Sequence, residues 1–151
     1  RILTLDGYLM VTEKDEYIYH EMITHIPMAV NPDITNVLVI GAGDGGTVRE
    51  LTRYNHIKNI DMVEIDEMVV EICREYLPQT ACRLTDPRVH IFYQDGLRFV
   101  RNKENEYDLI IVDSRDCSQR NFTATVSRLL KMTEYLSISM KVLSTLPMPI
   151  Q

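Results

Sequence analysis

Val37-Leu38-Val39-Ile40-Gly41-Ala42-Gly43-Asp44-Gly45-Gly46 decides the fold. Four consecutive apolar residues with no polar alternation describe a strand buried on both faces, as in a parallel sheet covered by helices. The glycine run ends that strand in a tight loop, and Thr47 to Tyr54 then reads as a helix. Working outward, the same alternation repeats. Ile60 to Ile65 reads as a second strand and Glu67 to Tyr76 as a second helix. Val89 to Tyr93, Gly96 to Asn102 and Tyr107 to Val112 read as strand, short helix and strand. Strands alternating with helices imply an α/β, doubly wound parallel sheet of about four strands. Upstream, Glu16 to Met28 has helical spacing and stops before the Asn31-Pro32-Asp33 turn, and Asp6-Gly7 predicts a hairpin across Leu3 to Thr12.

The 151 residues suit one domain, and 45% hydrophobic with 25% charged residues are globular values that exclude a disordered or collagenous chain. No run approaches the roughly 18 apolar residues of a membrane span. There is no signal-peptide pattern, and an opening at Arg1 without Met predicts a fragment of a longer protein. Cys73, Cys82 and Cys117 are odd in number and widely spaced, so they predict neither a disulfide framework nor a zinc knuckle and suit a reducing cytoplasm. A net charge of −6 argues against nucleic acid and favours a cationic small molecule.

The charge is uneven. Residues 1–116 hold 21 of the 22 acids and 12 of the 16 bases, while residues 117–151 hold one acid and four bases. All six glycines lie at or before Gly96, and the last 35 residues contain neither Gly nor Asp, the usual turn formers. The tail is foreign to the body, although Leu129, Leu130, Met132, Leu136 and Met140 give it a loosely helical stripe.

In open α/β sheets, ligands bind beyond the carboxyl ends of the strands, near the switch in strand order. Each of the four strands ends in acids: Asp44 in the glycine loop, Glu64 with Asp66, Asp95, then Asp113 with Asp116. The loop matches G-x-G-x-x-G, which in a dinucleotide enzyme cradles pyrophosphate. Asp44 opposes that use, because a carboxylate repels phosphate and attracts an ammonium or sulfonium. Glu64 lies where a second-strand acid reaches a ribose diol. The pocket is therefore read as one for a nucleoside bearing positive charge, an S-adenosyl sulfonium over NAD. His20 and His25 are five apart and do not form the zinc motif of two histidines on one helical face, and no metal site is expected. His25, His56 and His90 are expected at the surface or satisfied, the eight Met as core filler, and the Asn121-Phe122-Thr123 sequon as unused.

The ordered segments L-D-G, D-E-Y-I-Y-H-E-M, V-L-V-I-G-A-G-D-G-G, V-E-I-D, D-G-L-R-F and I-V-D-S-x-D resemble the spermidine synthase family over about residues 3–116. The resemblance implies a Rossmann-like, S-adenosylmethionine-dependent methyltransferase-like fold truncated after about four strands. It implies transfer of an aminopropyl group from decarboxylated S-adenosylmethionine, a co-substrate and not a cofactor, to putrescine. Carried over by residue, Asp113 is the general base and Tyr19 orients it and the diamine. Asp44 binds the aminopropyl amine, Glu64 the ribose hydroxyls, and Asp95 sits by the adenine amino group. Gly41, Gly43, Gly45, Gly46, Ile65, Gly96 and His20 line the donor pocket, and Asp116 holds an amine of putrescine. The resemblance also implies a cytoplasmic enzyme, a homodimer or tetramer when intact, with no nucleic-acid or membrane partner. It divides the chain into the end of an N-terminal β-hairpin region at 1–12, the nucleoside-binding catalytic domain at 13–116, and an aberrant tail at 117–151.

The sequence departs from the family in places. Met10 replaces a common Gln, Cys117 follows Asp116 where the family has Pro, and the later Q-x-E-S segment is absent. Back-translated with permitted codons and shifted one nucleotide earlier, Arg115 to Gln151 yields a text resembling the family's continuation. Three letters are forced whatever the codons: Asp from Met132-Thr133, Glu from Met140-Lys141 and Ala from Met148-Pro149. The tail is thus read as a frame error, and the chain is expected to be poorly stable and impaired in transfer. Two readings stand beside aminopropyl transfer: a small-molecule methyltransferase of the same fold, and a catalytically dead nucleoside-binding module.

Overall fold

The computed structural model describes residues 1–114 apart from Asn102 and Asn105, so the expectations for Asp116, Cys117, the sequon and the tail lie outside the described residues. The hairpin forms from β1 (Ile2–Leu5) and β2 (Tyr8–Thr12), antiparallel, with Asp6 and Gly7 both at positive φ as a two-residue turn requires. α1 (Glu16–Val30) follows, two residues longer than its apolar spacing suggests, with Pro27 in its last turn. The body then alternates: β3 (Asn36–Gly41), α2 (Gly46–Leu51), β4 (Asn59–Glu64), α3 (Glu67–Tyr76), α4 (Pro78–Ala81), β5 (Val89–Tyr93), α5 (Gly96–Val100) and β6 (Leu109–Asp113). The short α4 is absent from the sequence reading, although Pro78 at its first position is a helix-start signal.

The four body strands are parallel in the order β5-β4-β3-β6. The chain therefore steps from β3 to β4 to β5 and then returns to the other side of β3. The switch point lies between β3 and β6, where Gly41 pairs in register with Asp113. Alternation along β3 explains its unbroken apolar run. Val37 and Val39 pack on one face with Ile23, Met28, Val48, Leu51 and Val70; Leu38 and Ile40 pack on the other with Val100, Tyr107, Ile110 and Val112. Both faces are dry, and burying each such side chain contributes roughly 1.5–3 kcal/mol.

The opposite, N-terminal ends of the strands are tied by polar clasps. Asp108 Oδ2 accepts hydrogen bonds from the Thr35 and Asn36 amides and the Thr35 hydroxyl, each at 2.9 Å. Arg88 donates to the carbonyls of Thr52, Tyr54 and Ile57 at 2.8, 2.9 and 3.3 Å while paired with Asp86 at 2.9 Å. The Asp108 amide also donates to the Asn36 carbonyl at 2.9 Å, and β6 starts at Leu109, two residues after the start expected from the sequence. His25 is satisfied, with Nδ1 2.7 Å from the Tyr54 hydroxyl and Nε2 3.2 Å from Glu50. Of the five described methionines, Met28 and Met62 are buried and Met10, Met22 and Met68 are exposed, so the expectation that the eight mostly fill the core holds for two of these five. No described helix is long and apolar enough to cross a membrane.

Candidate active site

The switch point gathers side chains from three elements. Gly41 ends β3 at φ +89°, and a Cβ there would lie 2.1 Å from the Asp113 carbonyl, so glycine permits β6 to come this close. The Ala42 amide donates to that same carbonyl at 3.2 Å, and Gly45 at φ +85° caps α2. Asp44 folds back onto this cap, accepting from the Gly46 amide at 2.7 Å. The start of α2 thus already holds an anion supplied by the chain, which leaves phosphate no welcome there.

Asp113 stands across from it at the end of β6. Both of its oxygens are engaged: Oδ1 accepts from the Tyr19 hydroxyl at 2.6 Å and Oδ2 from the Thr47 hydroxyl at 2.7 Å. Burial raises its pKa and the Asp44 charge adds to that, while Tyr19, the His20 charge and Thr47 pull it back. The outcome is a carboxylate more basic than usual, oriented by two hydroxyl donors.

His20, one residue from Tyr19 on α1, is buried between two acids. Its Nδ1 lies 2.5 Å from Glu16 and its Nε2 3.3 Å from Asp44. Burial opposes its protonation, but hydrogen bonds to Asp44 and Glu16 and the charges of Asp44 and Asp113 win, pushing its pKa up to about 10. Glu16 is gripped from the other side by Arg49, whose two terminal nitrogens lie 2.9 and 3.0 Å from its oxygens. Burial opposes that charge too, yet the bonds from His20 and Arg49 hold Glu16 down to about 2. The imidazole ring also fills the space above Gly46, where a Cβ would fall 2.2 Å from it.

Glu64 ends β4 beside the loop, with its Oε2 3.0 Å from where a Gly43 Cβ would stand. Its Oε1 accepts from the Ile65 and Asp66 amides at 2.8 and 3.1 Å. Burial pushes its pKa up, with the Asp66, Ile65 and Gly43 amides opposing. The Ile65 side chain is 71% exposed and free to line a bound ligand. Asp66 and Asp95 also have local duties: they cap α3 and α5 by accepting from Met68 and Arg98 amides at 3.0 and 2.8 Å. Asp95 is exposed and lies two residues beyond Tyr93, the register partner of Glu64. Gly96 lets α5 approach β3, since its Cβ would meet Ile40 at 2.6 Å.

The structure thus brings Tyr19, His20, Asp44 and Asp113 into one cluster, with Glu64 adjoining the same loop. Thr47, Glu16 and Arg49 were missed by sequence reasoning. Thr47 carries a signal, a hydroxyl in the first turn after the glycine loop. The Glu16–Arg49 fork joins residues 33 apart and leaves no local trace. Among the described residues, no group of three or more His, Cys, Asp and Glu side chains is placed to hold a metal ion.

The model of the spermine/spermidine synthase domain matches residues 16–136. The chain belongs to that family. It is 78% identical over 116 residues to a polyamine aminopropyltransferase from Alkaliphilus oremlandii and 71% identical over 116 residues to one from Clostridium beijerinckii, in each case covering 77% of this chain and 41% of the relative. Among solved structures it resembles the spermidine synthase of Thermotoga maritima, with TM-score 0.84 and 41% identity over 89% of this chain and 47% of that one. It also resembles a spermidine synthase in complex with the transition-state analogue AdoDATO, with TM-score 0.82 and 40% identity over 86% of this chain and 47% of that one. The chain therefore spans less than half the length of these relatives. The methyltransferase-like α/β fold expected from the sequence is the fold these neighbours share.

Proposed function

We propose that this chain binds decarboxylated S-adenosylmethionine and putrescine and transfers the aminopropyl group between them, giving spermidine and methylthioadenosine. The observation that carries the reading is the pairing of Asp44 and Asp113 across the switch point, with both Asp113 oxygens held by hydroxyl donors. Two carboxylates at the carboxyl ends of neighbouring strands suit an amine acceptor and a sulfonium donor better than a phosphate.

The acceptor arrives as an ammonium with a pKa near that of lysine, about 10.4, and must lose a proton before its lone pair can attack carbon. Asp113 takes that proton, and its raised basicity narrows the gap the transfer must cross. The nitrogen then bonds the propyl carbon, the carbon–sulfur bond breaks, and its electron pair stays on sulfur as a neutral thioether. No oxyanion forms. Tyr19 and Thr47 hold the base in line, Asp44 anchors the donor's amine, and Glu64 takes the ribose diol. Asp95 meets the adenine amino group, and the loop Gly41–Gly46 with Ile65 and Gly96 lines the pocket. The donor is consumed in each turnover, so this reading calls on no separate cofactor.

Calorimetry with methylthioadenosine and putrescine, alongside a spermidine assay, tests the reading. Binding of both ligands is the expected result, with spermidine formation by this chain impaired by its aberrant tail. Nucleoside binding without putrescine would reduce the chain to a nucleoside-binding module, and methyl transfer from S-adenosylmethionine would replace the reading altogether.

A further inference from the structure

Putting a carboxylate pair around an amine raises a difficulty that the aminopropyl reading leaves open. Asp44 and Asp113 repel each other, and burial favours a proton on Asp113 before any substrate arrives. A base that is already protonated cannot act.

The groups facing the pair come from every element around it. α1 supplies Glu16, Tyr19 and His20, the glycine loop supplies Asp44, α2 supplies Thr47 and Arg49, and β6 supplies Asp113. Formal charges are −1 on each of Glu16, Asp44, Asp113 and Glu50, which Arg49 also contacts at 2.9 Å, and +1 on Arg49 and on Arg53, which pairs with Glu50. A neutral imidazole leaves the cluster at −2, and an imidazolium leaves it at −1, the charge that one ammonium balances. The two ring nitrogens of His20 each face a carboxylate, which is the arrangement of a two-fold donor and not of either neutral tautomer. His20 cannot turn away, because its ring lies against Gly46.

We propose that Glu16 and Arg49 are positioning residues of this site: acting through His20, they keep an imidazolium wedged beside Asp44 and so preserve Asp113 as a free carboxylate for the incoming amine. Glu16 touches no reacting atom. Its part is to present a charge to Nδ1, and the two-pronged contact from Arg49 sets where that charge points. The direction in which His20 is shifted agrees with this geometry. The identity of the amine rests on the aminopropyl reading; the state of His20 does not.

Nitrogen NMR on the full chain labelled at histidine tests the inference without substrate, with a His20→Asn variant assigning the resonance. Both His20 ring nitrogens should stay protonated at pH 8, with a midpoint near 10. Glu16→Gln should lower that midpoint by about 2 pH units, and Glu16→Asp, which keeps the charge, should restore part of it. In a spermidine assay the acid limb of kcat for Glu16→Gln should move to higher pH, with KM for the donor little changed. A neutral His20 at pH 8 in the unaltered chain overturns the proposal, and that measurement stands even if Glu16→Gln fails to fold. An unmoved midpoint in a folded Glu16→Gln overturns it as well. Failure to bind methylthioadenosine and putrescine with the His20 titration as expected would instead count against the aminopropyl reading alone.

Discussion

Replacing Gly41 by alanine should damage this protein well beyond the loss of one flexible residue. The new Cβ would sit 2.1 Å from the Asp113 carbonyl oxygen and 2.8 Å from its carbonyl carbon, so the obstacle is backbone and cannot swing aside. Relief requires β6 to slide away from β3 at the register pair Gly41–Asp113, breaking the Ala42 amide contact to the same carbonyl. The left-handed backbone at φ +89° costs an alanine about 1–2 kcal/mol, and forced overpacking about 1–3 kcal/mol more. The sum, roughly 2–5 kcal/mol, is a large part of a typical domain's 5–15 kcal/mol. At about 2–4 °C per kcal/mol, the melting temperature should fall by roughly 4–20 °C. Gly7→Ala is the internal control. Gly7 has a similar φ of +79° but nothing within 4 Å of a Cβ, so only the conformational cost of about 1–2 kcal/mol applies. Thermal unfolding followed by circular dichroism reads both variants. If Gly41→Ala melts within about 2 °C of Gly7→Ala, the close approach of β6 is not what this position demands.

In an intact version of the protein, Asp113→Asn should lower the rate of spermidine formation by 10²- to 10⁴-fold, since the amide keeps the shape but cannot take the proton; unchanged turnover would take the base role from Asp113. Glu64→Gln should chiefly weaken methylthioadenosine, by about 1.5–3 kcal/mol of charge-assisted bonding, as read by calorimetry. Stability should fall on both sides of a mildly acid optimum. Glu16, held down to about 2, contributes fully above about 4.5 and loses its share as pH drops toward 2, whereas His20, pushed up to about 10, contributes fully below about 6.5 and loses its share as pH rises through 10. A urea midpoint that stays flat from pH 6.5 to 10 would contradict the His20 part. Cys73 is buried with its thiol pushed up to about 12 by burial and the Asp44 and Glu64 charges, so native alkylation mapped by mass spectrometry should mark exposed Cys82 and spare Cys73.

The strands were legible because their environment is written in consecutive letters. Val37 to Ile40 must be apolar on both faces, and no other local structure accepts that run followed by glycines. Boundaries were less legible wherever a polar residue at a strand's edge serves another element, as Asp108 does for Thr35 and Asn36. The acids at strand ends gather at one end of the sheet, and two of them, Asp66 and Asp95, also cap helices; a capping carboxylate has the same sequence appearance as a ligand-binding one. The charge relay was not legible at all. Glu16 and His20 stand one helical turn apart, an ordinary spacing, and only the return of α2 beside α1 turns them into a relay through Arg49.

The Asp108 and Arg88 clasps lie at the end of the sheet away from the loop that Asp44 and Asp113 share. Cohesion and chemistry are thereby separated along the length of each strand. An exposed side chain beyond the carboxyl ends, such as Ile65, can be exchanged without loosening the seams that hold the strands in register, whereas Gly41 cannot. Changes at the clasps should lower expression and folding yield before they alter ligand binding at the loop. A directed search for altered ligand binding therefore has its freest position at exposed Ile65, beyond the end of β4, and should leave the loop glycines and Asp108, Thr35, Asp86 and Arg88 untouched.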